Sequence, residues 1–501
     1  MKNYTFLFAV LLSNLLFAQG DWVKMMQDPN VNFYDVQKAF YQQHKEEKEA
    51  NLKEEDESEY RFFKRLEYEL LPRVFPTGKL PSPDLAWKEI QKYRQQHPIP
   101  SANHAKNITS PTWTSLGPDS LSGGSWSPGL GRVNVVMVDP IDSNKIYIGA
   151  PSGGLWKSAD GGHTWATTTD NLPVLGVSTI AIDPTNTNVI YIGTSDNDAW
   201  ECFSIGILKS TDGGNTWNTT GMSYTVNQGA KIYSLLIDPT NHNTLLAATT
   251  SGVFKTTDGA ATWTQVSTIT NIRDLQFKPG NHNVVYAVNN DFYRSINNGN
   301  SFTQITSGLP ADTLVNRLKI GVTAANPNAV YVIAGQNGGN GYFGLYYSND
   351  GGLNFSTRSN SPNILGYAYD GSSGGGQDWY TLALAVSPTD ENEVFAGGVN
   401  IWKSNDGGVN WSLNAFWEPA PFCPIPAGYV HADIHTLVFF NHTLFSGCDG
   451  GIWKSPDNGN TWNNISNGLC ITEFYRLGGT PYYPNVIYAG AQDNGIIKYN
   501  A

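Results

Sequence analysis

The stretch Ser210-Thr-Asp-Gly-Gly-Asn-Thr-Trp217 decides how most of this chain folds, because close copies of it recur along the sequence. Including this stretch there are seven copies, whose starts lie 39 to 56 residues apart. They occupy residues 158–165, 210–217, 256–263, 295–302, 348–355, 404–411 and 455–462. Recurrence at such a spacing is typical of repeat proteins.

Each copy has the chemistry of a tight turn between two strands. Gly213 supplies the positive φ that such a turn needs, and the Asp212 carboxylate and Ser210 hydroxyl can accept hydrogen bonds from turn amides. Trp217 then begins a return strand and can cover the turn with its indole ring. We therefore interpret the aspartates of the copies as structural rather than catalytic or calcium-binding; they are Asp160, Asp212, Asp258, Asp350, Asp406 and Asp457.

With these copies the chain resembles the Asp-box (BNR) β-propellers, especially the sortilin-type and xyloglucanase-type branches and secreted propeller proteins of gliding-type bacteria. The resemblance begins near Trp113 and extends to the end of the sequence. It implies an all-β fold of four-stranded antiparallel blades arranged around an axis. Because one fold carries many functions, it implies no particular activity.

The periodic pattern supports the same fold class. The second unit contains four apolar segments of strand length, at 177–183, 189–193, 206–209 and 216–220, as a propeller blade requires. Seven such units are followed by a partial eighth over 472–499. Residues 113–116 could supply its missing strand and close a ring of eight blades; the alternative is a partial or double propeller.

Composition limits the class of partner. The 501 residues are 40% apolar and only 15% charged, with 51 glycines, as expected for many short strands joined by turns. The net charge of −12 argues against nucleic acid, whose phosphates attract a basic surface.

The N-terminal part differs from the repeats. Residues 1–18 predict a secretory signal peptide, with a membrane anchor as the alternative, and hence a secreted or cell-surface protein without a mature transmembrane segment. Residues 21–97 predict a helical segment, with helices at 32–50 and at 60–71, the second ended by Pro72. This segment is either a solvated spacer or an arm that docks on the propeller. Residues 98–111 form a predicted linker to the propeller at 112–501.

Export permits disulfides among the four cysteines, Cys202, Cys423, Cys448 and Cys470. They allow three connectivities with two bridges, and Cys448–Cys470 is the first pair to test.

Blade geometry predicts two faces. The seven turns belong to one face, and the long insertions at 195–204, 336–343, 359–377 and 416–429 belong to the other, where binding usually resides. Counting back along each first strand also predicts a polar ring at the mouth of the central channel. Its positions are Arg132, Asn134, Lys231, Tyr233, Asn271, Arg273, Leu314, Asn316, Tyr380, Leu382, Asp433 and His435. This ring is either a hydrated channel or a ligand site.

From this face we select a candidate ligand-binding rim. Its members are Arg132, Asn134, Trp200, Lys231, Arg273, Trp379, Tyr380, Trp417, His431, Asp433, His435, Asp449 and Asp493. The run His431-Ala-Asp433-Ile-His435 has residue types that bind metals, but on a straight strand its ends lie roughly 13 Å apart. We therefore favour a hydrogen-bonding latch between blades and predict no metal and no cofactor.

Glycoside hydrolases need two carboxylates that flank the glycosidic bond to be cleaved. Carboxylates are plentiful on the loop face, at Asp196, Asp198, Glu201, Asp378, Glu418, Asp433, Asp449, Glu473 and Asp493, and Trp126, Trp200, Trp379 and Trp417 could stack on sugars. However, the resemblance to xyloglucanases implies a catalytic Asp in the first blade, where this chain has Pro151. We predict a scaffold that binds protein or polysaccharide, with a xyloglucanase-type glycoside hydrolase as the alternative.

Overall fold

The protein is described by a computed structural model that covers Trp22, Met25, Met26 and residues 31–44, 59–80, 85–96, 115–120, 128–199, 202–339, 341–419 and 427–500. Its internal contacts divide the chain into two compact units. The first comprises Met1–Thr114 with Thr225–Gly229, and the second comprises Ser115–Tyr224 with Ala230–Ala501. The predicted signal peptide and the predicted linker at 98–111 lie outside the described residues.

The first unit contains helices α1 (Phe33–Gln43), α2 (Glu59–Val74) and α3 (Leu85–Gln96). A small aromatic core joins α1 to α2, because the rings of Phe40 and Phe63 stack with centroids 3.8 Å apart. None of the helices in the described part of the chain is long and apolar enough to cross a membrane.

The prediction that Pro72 ends the second helix is wrong. Helix α2 continues to Val74, and the Phe75 amide still donates to the Leu71 carbonyl at 3.1 Å. Because Pro72 lies in the last turn, its missing N–H removes only one intrahelical hydrogen bond. Helix α3, rich in lysine and glutamine, was not singled out from the sequence.

The described residues of the second unit form eight sheets, seven of them blades with four consecutive antiparallel strands. Blades 1 and 2 contain β1–β4 (Val135–Val138, Ile146–Ala150, Gly154–Ser158, Ala166–Thr167) and β5–β8 (Val177–Ile182, Ile190–Thr194, Gly206–Ser210, Asn218–Ser223). Blades 3 and 4 contain β9–β12 (Ile232–Ile237, Leu245–Thr249, Gly252–Thr256, Thr264–Ser267) and β13–β16 (Asp274–Lys278, Asn281–Val288, Phe292–Ser295, Thr303–Ile305).

Blade 5 contains β17–β20 (Val315–Val322, Val330–Gln336, Tyr342–Ser348, Ser356–Ser359). Blade 6 contains β21–β24 (Ala383–Val386, Val394–Gly397, Ile401–Ser404, Ser412–Phe416), to which β25 (Gly428–Tyr429) adds in parallel. Blade 7 contains β26–β29 (Ile434–Phe440, Thr443–Cys448, Gly451–Ser455, Asn463–Asn464). The three-stranded C-terminal sheet contains β30–β32 (Phe474–Thr480, Tyr483–Ala491, Gly495–Asn500), and short 3-10 helices occupy Val226–Gln228 and Asp312–Leu314.

The seven blades close a ring around an axis. The first strand of each blade contacts the first strand of the next, and β26 of blade 7 contacts β1 of blade 1. Across this closure the Leu130 and Val133 amides donate to the carbonyls of Gly450 and Cys448, both at 3.0 Å. The second unit is therefore a seven-bladed β-propeller with a further sheet outside the ring, and closure as eight blades is wrong.

Glycines on the second strands explain why the closure resembles the other interfaces. A Cβ on Gly397 would lie 2.6 Å from the Ile434 side chain of the next blade. A Cβ on Gly447 would lie 2.6 Å from the Val133 carbonyl of blade 1. Because only glycine permits this approach, the same close contact recurs between blades 6 and 7 and between blades 7 and 1.

The repeated turns join the third and fourth strands and are held by side chains. In blade 2 the Asp212 Oδ1 atom accepts from the amides of Asn215 and Thr216 at 3.0 and 2.9 Å. The Ser210 Oγ atom accepts from the Gly214 amide at 2.8 Å and donates to Asp212 at 2.8 Å. These bonds, led by that of the Thr216 amide, lower the pKa of Asp212, so the carboxylate stays charged and its turn stays fastened.

In six of the seven blades, a basic residue just before the turn donates a hydrogen bond to the turn of the next blade. The sequence did not predict these contacts. Lys209 of blade 2 donates to the Gly259 carbonyl in the turn of blade 3 at 3.0 Å. Lys454 of blade 7 donates to the Gly161 carbonyl in the turn of blade 1, also at 3.0 Å. The remaining contacts of this kind are Lys157 to Gly213, Lys255 to Asn298, Arg294 to Gly351 and Lys403 to Asn458.

The tryptophans of the turns point toward the preceding blade. Trp217 donates to the Thr168 hydroxyl of blade 1 at 3.4 Å, and Trp165 of blade 1 donates to the Ile465 carbonyl of blade 7 at 2.8 Å. The repeated motif is therefore an element of blade-to-blade assembly as well as a turn.

We expect Lys454→Met to destabilise the propeller by roughly 1–3 kcal/mol, because a hydrogen bond from a charged group at the ring closure is lost. Urea unfolding followed by tryptophan fluorescence measures the change. Lys145→Met is the matched control, because the Lys145 side chain is 43% exposed and its ammonium group lies 3.9 Å from the carboxylates of Asp139 and Asp142. Equal effects of the two substitutions would show that the contact across the closure contributes nothing.

Candidate functional site

Long connections meet on the face opposite the repeated turns. The turn of blade 2 bonds to the connection between its first two strands, since the Gly213 amide donates to the Asn188 carbonyl at 3.0 Å. The described parts of the four insertions join second to third or fourth to first strands and so lie on the other face, which we call the loop face; they are residues 195–199, 202–204, 336–339, 341–343, 359–377, 416–419 and 427–429. For these residues the predicted division of turns and insertions between the two faces is confirmed.

Where the first strands begin, a buried polar network fills the axis of the ring, and we call it the axial network. Its members come from blades 1, 2, 5, 6 and 7 and are Arg132, Asn134, Asp196, Asp198, Arg317, Tyr380, His435 and Asp449. Each has at most 8% of its surface exposed.

Asp196 receives the two polar side chains of blade 1. The Arg132 guanidinium lies 3.1 Å from Asp196 Oδ2, and the Asn134 amide donates to Oδ1 at 3.1 Å. Both carboxylate oxygens also accept backbone amides of the same loop, from Asp198 and Ala199. These contacts satisfy a carboxylate that would otherwise be costly to bury.

His435 joins opposite sides of the network. Its Nδ1 atom lies 2.8 Å from Asp198 of blade 2, and its Nε2 atom lies 2.9 Å from Asp449 of blade 7. Burial alone lowers the pKa of His435, but the hydrogen bonds to the two carboxylates raise it to about 9. At neutral pH His435 is therefore an imidazolium that donates both protons.

Tyr380 and Arg317 extend the network to blades 5 and 6. The Tyr380 hydroxyl donates to Asp449 at 2.8 Å and accepts from Arg132 at 3.1 Å. Arg317 lies 2.9 Å from Asp198 and donates to the Tyr380 carbonyl at 3.0 Å. Burial opposes ionisation of Asp198, but Arg317 and His435 lower its pKa, so the network holds charged pairs.

Blades 3 and 4 contribute two basic side chains near the acids of the axis, Lys231 and Arg273. Lys231 is fully buried, and burial lowers its pKa well below the usual value despite the attraction of Asp196. The Arg273 guanidinium lies over the Tyr233 ring, 5.6 Å from its centroid, and the Tyr233 hydroxyl donates to Asn271 at 3.4 Å.

Three further carboxyls beside the network behave differently from its ion pairs. Burial, followed by the charges of Asp449 and Asp493, raises the pKa of Asp433. Burial also raises the pKa of Asp378 to about 6, and burial with the charge of Asp449 does the same for Asp493. Asp449 is the opposite case: burial opposes its ionisation, but the hydrogen bond and charge of His435, with Arg132 and Tyr380, together lower its pKa. Carboxyls with raised and lowered pKa values are thus neighbours here.

The run His431–His435 is not a straight strand. Strand β26 begins only at Ile434, and Asp433 has a φ of +68°. The Asp433 carboxylate accepts from the Gln377 amide at 3.3 Å, whereas the His431 ring packs against Gly450. Within the described ranges no group of three or more His, Cys, Asp or Glu side chains is placed to hold a metal ion.

Blades 5 and 6 depart from the predicted ring. Arg317 reaches the axis, whereas Leu314 is 51% exposed in a 3-10 helix and Leu382 is buried in an apolar cluster with Leu365. A register irregularity between Val315 and Arg317 shifts the side chains of β17 by one position, which a count along an ideal strand misses. Asn316 instead lies beside Asp378.

The remaining predicted residues have varied positions. Trp379 and Trp417 are half-buried on the loop face, and Trp200 lies outside the described residues. Cys448 and Cys470, the pair singled out for a disulfide, are free thiols and form no bridge with each other, so that prediction is wrong. Cys423 is outside the described residues.

Fold and axis together define a seven-bladed propeller, and comparisons with solved structures support the β-propeller fold. The chain is similar to an ancestral GH74 enzyme, with a TM-score of 0.56 and 18% identity over 75% of this chain and 55% of the other. It is similar to a GH74 enzyme from Niastella koreensis, with a TM-score of 0.54 and 19% identity over 76% and 60%. A GH74 xyloglucanase from Xanthomonas campestris gives a TM-score of 0.55 and 17% identity over 75% and 59%.

The chain thus spans 55–60% of the length of these structures, and at such identities the likeness supports the fold alone. No protein-family model matches the chain. No curated protein matches it by sequence.

Proposed function

We propose that the protein is an exported scaffold that binds an extracellular protein or polysaccharide without catalysing a reaction. The observation that carries this proposal is the axial network, in which Asp196, Asp198 and Asp449 are all held in buried ion pairs or hydrogen bonds. Removing one partner of such a buried pair is strongly destabilising, so these carboxylates have a structural role at the centre of the ring, with their oxygens already occupied by protein donors.

A second observation supports a non-catalytic role. Pro151 occupies the turn between β2 and β3, where the resemblance to xyloglucanases implies an acid. Its carbonyl accepts from the Cys202 thiol at 3.3 Å, so the position serves contact between blades 1 and 2. Proline has no group that can act as an acid, base or nucleophile.

The binding surface in this proposal is the loop face, where long ordered connections present aromatic and polar side chains. Secretion or surface attachment rests on the apolar N-terminal stretch and is part of the proposal. A sortilin-like role in binding peptides belongs to the same class.

One observation favours a glycoside hydrolase as the second candidate. The pKa of Asp433 is raised while that of Asp449 is lowered, and carboxyls with divergent pKa values serve as acid and base in such enzymes. The solved GH74 structures make xyloglucan the first substrate to test.

We expect the purified full chain to release no reducing ends from xyloglucan or from other plant and algal glycans. Retention of the chain on immobilised glycan or extracellular protein, without turnover, would support the scaffold. Release of reducing ends by the unmodified chain, abolished in Asp433→Asn or Asp378→Asn, would establish the hydrolase instead.

A further inference from the structure

A group of aromatic side chains lies on the loop face of blade 6, and we call it the aromatic platform. It consists of Tyr367 and Tyr369 from the 359–377 insertion and Phe416 and Trp417 from the end of β24. Tyr367 is 45% exposed and Tyr369 is 38% exposed. Tyr369 and Trp417 flank the Phe416 ring in edge-on contacts, with centroids 6.3 and 6.2 Å from it. Phe416 itself is buried, so the accessible aromatic surface comes from Tyr367, Tyr369 and the half-buried Trp417.

A buried asparagine holds the platform in place. Asn400, 1% exposed, donates to the carbonyls of Gly366 and Tyr367 at 3.2 and 3.1 Å and accepts from the Trp417 amide at 3.2 Å. One side chain therefore fixes both halves of the platform.

The insertion itself is also internally fastened. The Asn363 amide donates to the carbonyls of Ser373 and Gly375, both at 3.0 Å, and Ile364 and Leu365 are completely buried beneath it. A long insertion with this many internal contacts presents its tyrosines without a large loss of conformational freedom on binding.

The charge around the platform indicates the chemistry of its ligand. Residues 359–378 and 412–419 contain no lysine or arginine, whereas Asp370, Asp378 and Glu418 lie among them. The pKa of Tyr367 is raised by burial and then by the charge of Asp433, so the acidic surroundings extend to the mouth of the channel. A polyanion would be repelled from this surface.

We infer that the aromatic platform binds a neutral polysaccharide, an inference that rests on the proposed binding function. Rigid aromatic faces offer flat apolar area to the C–H faces of sugar rings, while amide and carboxylate groups beside them can pair with sugar hydroxyls. The platform lies beside the axial network and shares none of its residues.

Native affinity electrophoresis of the full chain through gels containing xyloglucan, a neutral mixed-linkage glucan or polygalacturonate tests the inference. Both neutral glycans should retard the unmodified chain, and polygalacturonate should not. Tyr369→Ala and Trp417→Ala should each weaken neutral-glycan binding by about tenfold, as expected for loss of one stacking ring.

Two matched variants control for the hydroxyl and for surface tyrosines in general. Tyr369→Phe keeps the ring and therefore the stacking contact. Its affinity for the neutral glycans should lie within about twofold of that of the unmodified chain. Tyr482→Ala removes a tyrosine that is 89% exposed on the C-terminal sheet and should change nothing.

Different failures point to different errors. Undiminished binding by Tyr369→Ala and Trp417→Ala would overturn the platform while leaving the scaffold function intact. Binding of polygalacturonate alone would overturn the neutral-ligand inference in the same way. A chain that binds no glycan and retains no extracellular protein would contradict the proposed function itself.

Discussion

Replacing His435 by alanine is expected to lower the free energy of unfolding by roughly 3–5 kcal/mol, the usual cost of leaving a buried charge without its partner. The imidazolium of His435 lies between Asp198 and Asp449 at 2.8 and 2.9 Å, and both carboxylates are almost completely buried. Without the imidazolium, Asp449 keeps the Tyr380 hydroxyl and Asp198 keeps Arg317, but one positive charge is missing.

The effect should depend on pH in a defined direction. The pKa of His435 is raised to about 9 in the folded protein, above its ordinary value, so its stabilisation is fully present below about pH 6.5. That stabilisation is lost as the pH rises through 9. The difference between the unmodified chain and His435→Ala, measured by urea unfolding, should therefore shrink by roughly 3 kcal/mol between pH 6.5 and pH 10.

His242→Ala is the matched control for this prediction. The His242 side chain is 23% exposed and its Nδ1 atom lies 3.2 Å from Asp183, so the pair is close to solvent. Such pairs contribute about 0–1 kcal/mol. A loss of stability in His435→Ala no larger than that of His242→Ala would mean that the axial network does not hold the ring together.

Replacing Asp378 by asparagine is expected to stabilise the protein above neutral pH. Burial raises the pKa of this carboxyl to about 6, so in the folded protein its proton is bound more tightly than in the unfolded chain. Its contribution to stability is present at acid pH and is lost as the pH rises from about 4 through 6. At pH 8 the cost of ionising it in place is roughly 3 kcal/mol.

Asparagine removes that ionisation and keeps an oxygen that can accept from the Gly341 amide, which lies 2.9 Å from Asp378 Oδ1. Asp378→Asn should therefore match the unmodified chain at pH 4 and exceed it at pH 8 by up to roughly 3 kcal/mol. Asp370→Asn, in the insertion that precedes Asp378 and fully exposed, is the control and should give no gain, because hydrogen bonds from Ser372 lower the pKa of Asp370. A variant less stable than the unmodified chain at pH 8 would contradict the prediction.

Local turn chemistry made most of the fold predictable. Each repeated turn is closed by hydrogen bonds within a few residues, such as those from the amides of Asn215 and Thr216 to Asp212. Eight consecutive residues are therefore sufficient to specify the turn. The alternation of short apolar segments between these turns then predicts four strands per blade. The lysine contacts between blades could not be predicted from the sequence, because a lysine before a turn has no partner nearby in the chain. Lys454 reaches its acceptor only because the ring is closed.

The site was less predictable than the fold. Because of the register irregularity near Val315, Arg317 rather than Asn316 reaches the axis. The positive φ of Asp433 separates its side chain from the histidines on either side of it. Asp196 and Asp198 were predicted as acids of the loop face, but both are buried in ion pairs with residues of other blades. Their signal in the sequence is only an Asp-Asn-Asp run after the second strand of blade 2.

The sequence by itself determined the blades, because strands and turns depend on neighbours within one repeat. The tertiary structure alone decided that seven blades close the ring, since that outcome depends on how Gly447 and Val133 approach across residues far apart in the chain. It also decided which charges meet at the axis, because an ion pair such as His435 with Asp198 forms only when closure brings both buried groups together. Consecutive residues determine short-range geometry, whereas burial and charge pairing are properties of the closed ring.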